Sequence, residues 1–442
     1  MSEAVATLPR EGAGKKKASP RKQRAYERGT LGKGLGGAKE LVTKSGIGPV
    51  DTVLAAAVVG LIGFGVVMVY SASAFEAAVR FGDAQHYLKR QAVYAGAALV
   101  TMWLASRIDY QKFKKLTYPM LLAVIVMLGA TVAGLGHRAG NAYRWLAVGP
   151  VHIQPSEAAK VVLVLWLAYS LSKKKEQVKT FWVGFAPHMI VVGILMLLCL
   201  KQPDFGSSVV LLLLTLSLMF VAGVKVWHII VSSLGFAAGG AALILSSAYR
   251  YGRLLAWLNM EEHRQGLAYQ PFQSAMSFGS GGVTGLGLGR GLQVLYLPEA
   301  HTDFIAAIIG EELGFIGVVG LTATFALVVA RGIKIAMEAV DDYGTYIAFG
   351  LSALISVQVL LNLGVAMAIL PTKGLTLPFI SYGGSSLLVS AGAIGILLNV
   401  SRYRPVPVVQ VDTAPGPLDS ASAVVVTEAR DEDDDSRGQE AS

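Results

Sequence analysis

The sequence predicts an all-α, polytopic membrane protein of about ten transmembrane helices, with a long extracytoplasmic loop between helices 7 and 8. Three observations lead there. Of 442 residues, 53% are hydrophobic and only 15% charged, against about 25% charged in ordinary soluble proteins. The apolar residues fall in long runs, each able to cross a bilayer core as a helix of about 20 residues. The remaining charge gathers in short connectors and in the tails.

Ten runs read as helices, at 50–72, 91–108, 116–136, 155–172, 182–200, 206–223, 227–247, 304–330, 345–370 and 378–400. The second, fourth and sixth are short, which suits tilted or broken spans. Pro371 and Pro378 interrupt the pattern between the last two. One set of connectors is dense in basic residues: Arg107, Lys112, Lys114 and Lys115, then Lys173, Lys174, Lys175 and Lys179, then Lys225, then Arg331 and Lys334. The positive-inside rule assigns that set to the cytoplasm. Both termini are then cytoplasmic, and 73–90, 137–154, 201–205, 248–303 and the 371–377 turn lie outside.

This reading divides the chain into a disordered basic tail at 1–47, a membrane domain at 48–402 and a disordered acidic tail at 403–442. The first tail carries Lys15, Lys16, Lys17, Arg21, Lys22 and Arg24 but no early apolar core, so it does not read as a signal peptide. The second ends in the self-repelling block Asp431 to Asp435. The net charge of +9 does not imply nucleic-acid binding, because no aromatic or Arg pattern for reading bases accompanies it. The lone Cys199 rules out an intrachain disulfide and a thiolate cluster.

Polar residues collect in four islands on the predicted outer side. In the first, Arg144-Trp145-Leu146 precedes Gln154-Pro155-Ser156-Glu157 and Lys160. Pro155 suits a first helical turn and Glu157 the helix dipole. The spacing lets Glu157 and Lys160 pair on one helix face, a sufficient structural role that stands beside a substrate-binding one. In the second, Asp204 either caps the next helix or joins Lys201 in a charged outer site. The third contains seven glycines between Gly279 and Gly291, a stretch without drive to form regular helix, and lacks the P-loop pattern. It runs into His301-Thr302-Asp303-Phe304, and Glu311 and Glu312 follow two turns into the next apolar run. Asp303 reads either as a helix cap, with the glutamates bonded to Arg or Lys elsewhere, or as a functional acid at a membrane boundary. In the fourth, Pro371 to Ser386, prolines and glycines indicate broken helix lining a cavity. There Lys373 offers a point charge suited to phosphate, and Ser385 a hydroxyl. Asn362, inside span nine, requires a hydrogen-bond partner. No His/Cys/Asp cluster forms a dedicated metal site.

Taken together, these blocks resemble the bacterial shape, elongation, division and sporulation (SEDS) family over roughly residues 50–402. The resemblance rests on Arg144-Trp145-Leu146 with Gln154-Pro155-Ser156-Glu157, on Pro203-Asp204-Phe205-Gly206, on His301-Thr302-Asp303-Phe304 with Gly310-Glu311-Glu312-Leu313-Gly314, and on Pro371 to Ser386. Tyr70-Ser71-Ala72-Ser73 and Leu370 to Pro378 are similar to the family's cell-division members rather than to its elongation members. The resemblance implies a ten-helix peptidoglycan glycosyltransferase of the bacterial inner membrane, acting in septal synthesis. Its substrate would be lipid II, and its partners a class B penicillin-binding transpeptidase and other division proteins. It implies that Asp303 is catalytic, as the general base. Arg144, Glu157, Lys160, Lys201, Asp204, His301, Lys373 and Ser385 are then candidates for holding substrate. No cofactor is expected, because the donor is already activated, and a divalent ion shared by substrate and a carboxylate stays open.

Two other classes fit the architecture. A lipid II flippase would need a polar path to both faces, whereas the unusual motifs concentrate on one. A scaffold without catalysis would use the charged tails but has no need of acids, lysines and a Gly-rich loop on one side.

Overall fold

The computed structural model describes residues 43–139, 142–148, 151–372 and 374–407. The chain forms two units, one spanning 45–404 and the other made of the tails, 1–44 with 405–442. Of the tail unit, the described residues 43–44 and 405–407 are extended. The basic and acidic clusters of the tails lie outside the described residues.

The larger unit is a helical bundle. Its helices are α1 (Thr52–Phe81), α2 (His86–Arg107), α3 (Phe113–Val132), α4 (Pro155–Lys174), α5 (Ala186–Lys201), α6 (Phe205–Val221), α7 (Val226–Leu245), α8 (Ala248–Leu258), α9 (Tyr269–Gly281), α10 (Ile305–Met337), α11 (Asp342–Ala366) and α12 (Gly384–Ser401). Seven helical segments among the described residues are long and apolar enough to cross a membrane, and α6 is a shorter apolar helix. The chain is a multi-pass membrane protein.

The short fourth run is the centre of the bundle. Helix α4 is buried on nearly every face, from Pro155 to Leu171, and packs on α3, α6 and α11. A helix apolar all round is stable only when surrounded. The opposite case is α7, none of whose residues is buried. Lipid tails are as apolar as its Val, Ile and Leu side chains, so that exposure carries no hydrophobic penalty in a bilayer. At the end of the bundle bearing the dense basic connectors, Asp51 caps α1 through the Leu54 N–H at 2.9 Å and binds Arg331 at 2.6 and 3.0 Å.

Three local departures from the sequence reading stand out. The connector after α3 folds as an antiparallel sheet, β1 (His137–Ala139), β2 (Ala142–Val148) and β3 (Val151–Ile153), ordered β1-β2-β3. The long 248–303 loop contains helices α8 and α9, and α9 takes in the first two glycines of the run, Gly279 and Gly281, before the chain turns irregular. The last helix starts at Gly384 instead of 378, because the Ser381 hydroxyl bonds back to the Leu377 N–H at 2.8 Å and closes a turn there.

Candidate active site

The glycine run and the two glutamates form one device. Helix α10 is broken at Gly314, whose φ of 65° and ψ of −163° are closed to side-chain-bearing residues. The break frees backbone groups, and the glycine loop occupies them. Leu286 N–H donates to Glu311 O at 3.0 Å, Gly287 N–H to Glu312 O at 2.9 Å, and Phe315 N–H to Gly282 O at 2.9 Å. A Cβ on Gly285 would lie 2.1 Å from Glu312 O, so the close approach requires glycine. Among the described residues neither glutamate forms an ion pair with Arg or Lys, contrary to one sequence expectation. Glu311 accepts from the Leu292 N–H at 2.8 Å and the Gln293 N–H at 3.1 Å, while Glu312 accepts the Ser71 hydroxyl at 2.6 and 2.7 Å. A backbone segment that must turn beside lipid is thus satisfied by carboxylates from the helix it covers. A cavity of about 480 Å³ lies between α1 and this loop, with Ser71 and Glu312 in its lining.

The same loop ends in the turn carrying Asp303. Glu299 adopts a left-handed φ of 59°, and its carbonyl accepts from the Thr302 N–H at 3.1 Å. The Thr302 hydroxyl donates to Glu299 Oε2 at 2.8 Å. Three successive carbonyls are then held from outside the turn. The Tyr382 N–H donates to His301 O at 2.9 Å, the Ser381 hydroxyl to Thr302 O at 2.6 Å, and Asn362 Nδ2 to Asp303 O at 3.1 Å. Asn362 also donates to Leu375 O at 2.6 Å, which supplies the partner its position in a span demanded.

The Asp303 side chain caps nothing: α10 opens without a side-chain cap bond. A Cβ on Gly374 would lie 3.2 Å from Asp303 Oδ2, so the absence of a side chain there leaves the carboxylate room. Burial pushes the Asp303 carboxyl up to about 7; repulsion from Glu299 adds to this, attraction to Arg144 opposes it, and Asp204 raises it further. A carboxyl in that range exchanges a proton near neutral pH.

The other sequence candidates fall into place around it. Arg144, on β2, donates from Nε to Gln202 O at 2.9 Å and from an Nη to Pro203 O at 2.8 Å, which fixes the strand to the α5–α6 turn. Asp204 caps α6, accepting from the Ser207 N–H at 3.0 Å. Glu157 and Lys160 form a buried ion pair at 2.7 Å. Ser385 accepts from the Gln154 N–H at 3.0 Å, joining α12 to the start of α4. Lys201 is exposed at the end of α5. Lys373 lies outside the described residues.

His301 is buried between Tyr87 and Tyr382, with ring centroids 4.5 and 5.6 Å away, and its Nδ1 is 3.6 Å from Glu76 Oε2. Burial holds its pKa down, against the pull of Glu76 and Glu299. Glu76 and Tyr87 were not singled out by sequence, and Ser381 and Tyr382 stood out only as part of the Pro371–Ser386 island, since Ser, Tyr and a helix-end Glu carry little local signal of their own. Among the described residues no group of three or more His, Cys, Asp and Glu is arranged to hold a metal ion.

Comparison with known proteins matches this chain to a family model described as FTSW_RODA_SPOVE, cell cycle protein, over residues 52–405. A probable peptidoglycan glycosyltransferase FtsW of Trichlorobacter lovleyi is 43% identical over 353 residues, covering 79% of this chain and 93% of its own. Stage V sporulation protein E of Bacillus subtilis is 40% identical over 347 residues, covering 77% and 93%. Among solved structures, a chain of "Structural coordination of polymerization and crosslinking by a peptidoglycan synthase complex" superposes with a TM-score of 0.68 at 28% identity, covering 80% of this chain and 98% of that one. The Thermus thermophilus Rod shape determining protein RodA superposes with a TM-score of 0.61 at 28% identity, covering 80% and 97%. With its helical bundle, its Asp303 turn and a match across residues 52–405, the chain belongs to the FtsW/RodA/SpoVE family of cell cycle proteins.

Proposed function

We propose that the protein is a peptidoglycan glycosyltransferase that polymerises lipid II, with Asp303 as general base. The observation that carries this is the Asp303 carboxyl itself. It is held by its backbone, free of capping duty and pushed by burial to about 7. The names of the relatives and of the superposed synthase complex support the reaction class.

In this reaction the 4-hydroxyl of one disaccharide attacks the anomeric carbon of a lipid-linked glycan. The C–O bond to the polyprenyl pyrophosphate breaks, and the hydroxyl proton passes to Asp303. The leaving pyrophosphate gathers negative charge, which fixed cations stabilise. Arg144, Lys201 and Lys373 are the cations assigned to it. Glu157 with Lys160, Asp204, His301 and Ser385 are assigned to shaping the substrate site. Inverting chemistry of this kind uses one base and an electrostatic clamp, without a covalent carboxylate. The donor is already activated, so no cofactor is required; a divalent ion would be shared between pyrophosphate and carboxylate.

By the charge pattern, this site faces outward and both termini are cytoplasmic. We assign the protein to the division septum, working with a class B penicillin-binding transpeptidase and other division proteins. The test is polymerisation of lipid II by the purified protein with that partner. Wild type should yield glycan strands and Asp303→Asn none. Equal polymer from both sinks the assignment of the base.

A further inference from the structure

We propose that Asn362 and Ser381 are positioning residues that set the depth and direction of Asp303 by clamping its turn to the 375–377 segment. The proposal rests on the reading of Asp303 as general base.

Each of the two side chains bridges the same two segments. Asn362 donates to Asp303 O at 3.1 Å and to Leu375 O at 2.6 Å. Ser381 donates to Thr302 O at 2.6 Å and accepts from the Leu377 N–H at 2.8 Å. Neither segment is helical, so neither has an intrinsic ladder to define its position. Both side chains are buried, where an unmade hydrogen bond is costly and a made one rigid. Two carbonyls face Asn362, so its amide must present nitrogen to them; its Oδ1 is left buried without a partner. A buried amide that leaves its acceptor unused to tie two loops together is retained at a cost, which is expected of a residue that fixes geometry.

The consequence for the carboxylate is direct. The 375–377 segment follows Gly374, which packs against Asp303 Oδ2. Loosening the clamp lets the turn move away from that wall and admits water to the carboxylate. Among the described residues, the charged groups acting on Asp303 are Glu299 on its own turn, Arg144 on β2 and Asp204 at the start of α6. His301 and Glu76 stand beside the turn. All are untouched by substitutions at 362 and 381. A misplacement of about 1 Å at a reacting group costs on the order of 100-fold in rate.

The experiment measures lipid II polymerisation against pH for wild type, Asp303→Asn, Asn362→Ala, Ser381→Ala and Ser381→Thr in complex with the transpeptidase partner. Asn362→Ala and Ser381→Ala should lower kcat by on the order of 100-fold with KM changed less than about threefold. Their acid limb should move to lower pH as Asp303 becomes hydrated, and Ser381→Thr, which keeps the hydroxyl, should retain the wild-type limb. If Asn362→Ala does not fold, the two Ser381 variants carry the comparison. Folded alanine variants with the wild-type limb overturn the proposal, whether or not kcat falls, and leave the base reading intact if Asp303→Asn is inert. An active Asp303→Asn overturns the base reading itself.

Discussion

Lys160 Nζ lies 2.7 Å from Glu157 Oε1 at the top of α4, with the lysine side chain 1% and the glutamate side chain 8% exposed. Two charges this deep are stable only because each neutralises the other; removing one strands its partner at a cost of about 3–5 kcal/mol. Lys160→Met and Glu157→Gln should therefore each lower the thermal unfolding midpoint in detergent. The double variant should lose less than the two single losses added. Strict additivity would mean that the pair is not coupled.

Asp303 makes the fold pH-sensitive in a defined direction. Its folded pKa of about 7 stands above the ordinary carboxylate value of 3.8. The native state therefore binds the proton more tightly than the unfolded chain, and stability is full at low pH and declines as pH rises from about 4 through about 7. Asp303→Asn removes that penalty. The variant should unfold at a higher temperature than wild type at pH 8 and at the same temperature at pH 4. Catalysis runs the other way, since a base works only when ionised, so polymerisation by wild type should climb through about pH 7.

Gly314 carries the break in α10. Its φ of 65° with ψ of −163° is essentially a glycine conformation, and a Cβ there would lie 2.3 Å from the Gly285 N. Gly314→Ala should destabilise the protein by about 3 kcal/mol or more, strain and collision together. It should also expose the glycine loop to proteolysis in intact vesicles. Unchanged stability and protease resistance would mean that the loop does not depend on the break.

At the opposite end of the bundle, Asp341 accepts from the Tyr110 hydroxyl at 2.8 Å, Gln111 Nε2 at 3.0 Å, the Gly344 N–H at 3.0 Å and Lys114 Nζ at 3.2 Å. Burial alone would raise its pKa, but the bonds from Gln111, Gly344 and Tyr110, with the Lys114 charge, bring it below the usual value. Its stabilisation is present above about pH 4 and fades as pH falls through the depressed pKa. Asp341→Asn should cost about 1–3 kcal/mol at pH 7 and progressively less as the solution is acidified. A constant cost across that range would show that the charge contributes nothing.

The sequence by itself determined the class of fold and marked the islands from which the candidate site is drawn. Apolar runs too long for a soluble core, with basic connectors between them, dictate a bundle in lipid. Polar and glycine-rich islands stand out because lipid tolerates them only where they are satisfied or used. The Glu157–Lys160 pair, the Asp204 cap and Asn362's need for a partner were legible because helical spacing and end chemistry are local. Tertiary structure alone decided what the islands do to one another. Glu311 and Glu312 read as acids awaiting basic partners, yet they serve backbone N–H groups and a serine, because the loop folds back over the break at Gly314. The sheet after α3 and the later start of α12 were hidden for a different reason: their bonds are local, pairing His137 with Trp145, Leu146 with Ile153 and Ser381 with Leu377, but they close in short segments that carry no sustained apolar period. From its position before an apolar run, Asp303 reads equally as a helix cap or as a functional acid. Only the folded chain, which holds that turn by its carbonyls from Asn362, Ser381 and Tyr382, leaves the carboxylate unspent on the helix and lifts its pKa by burial.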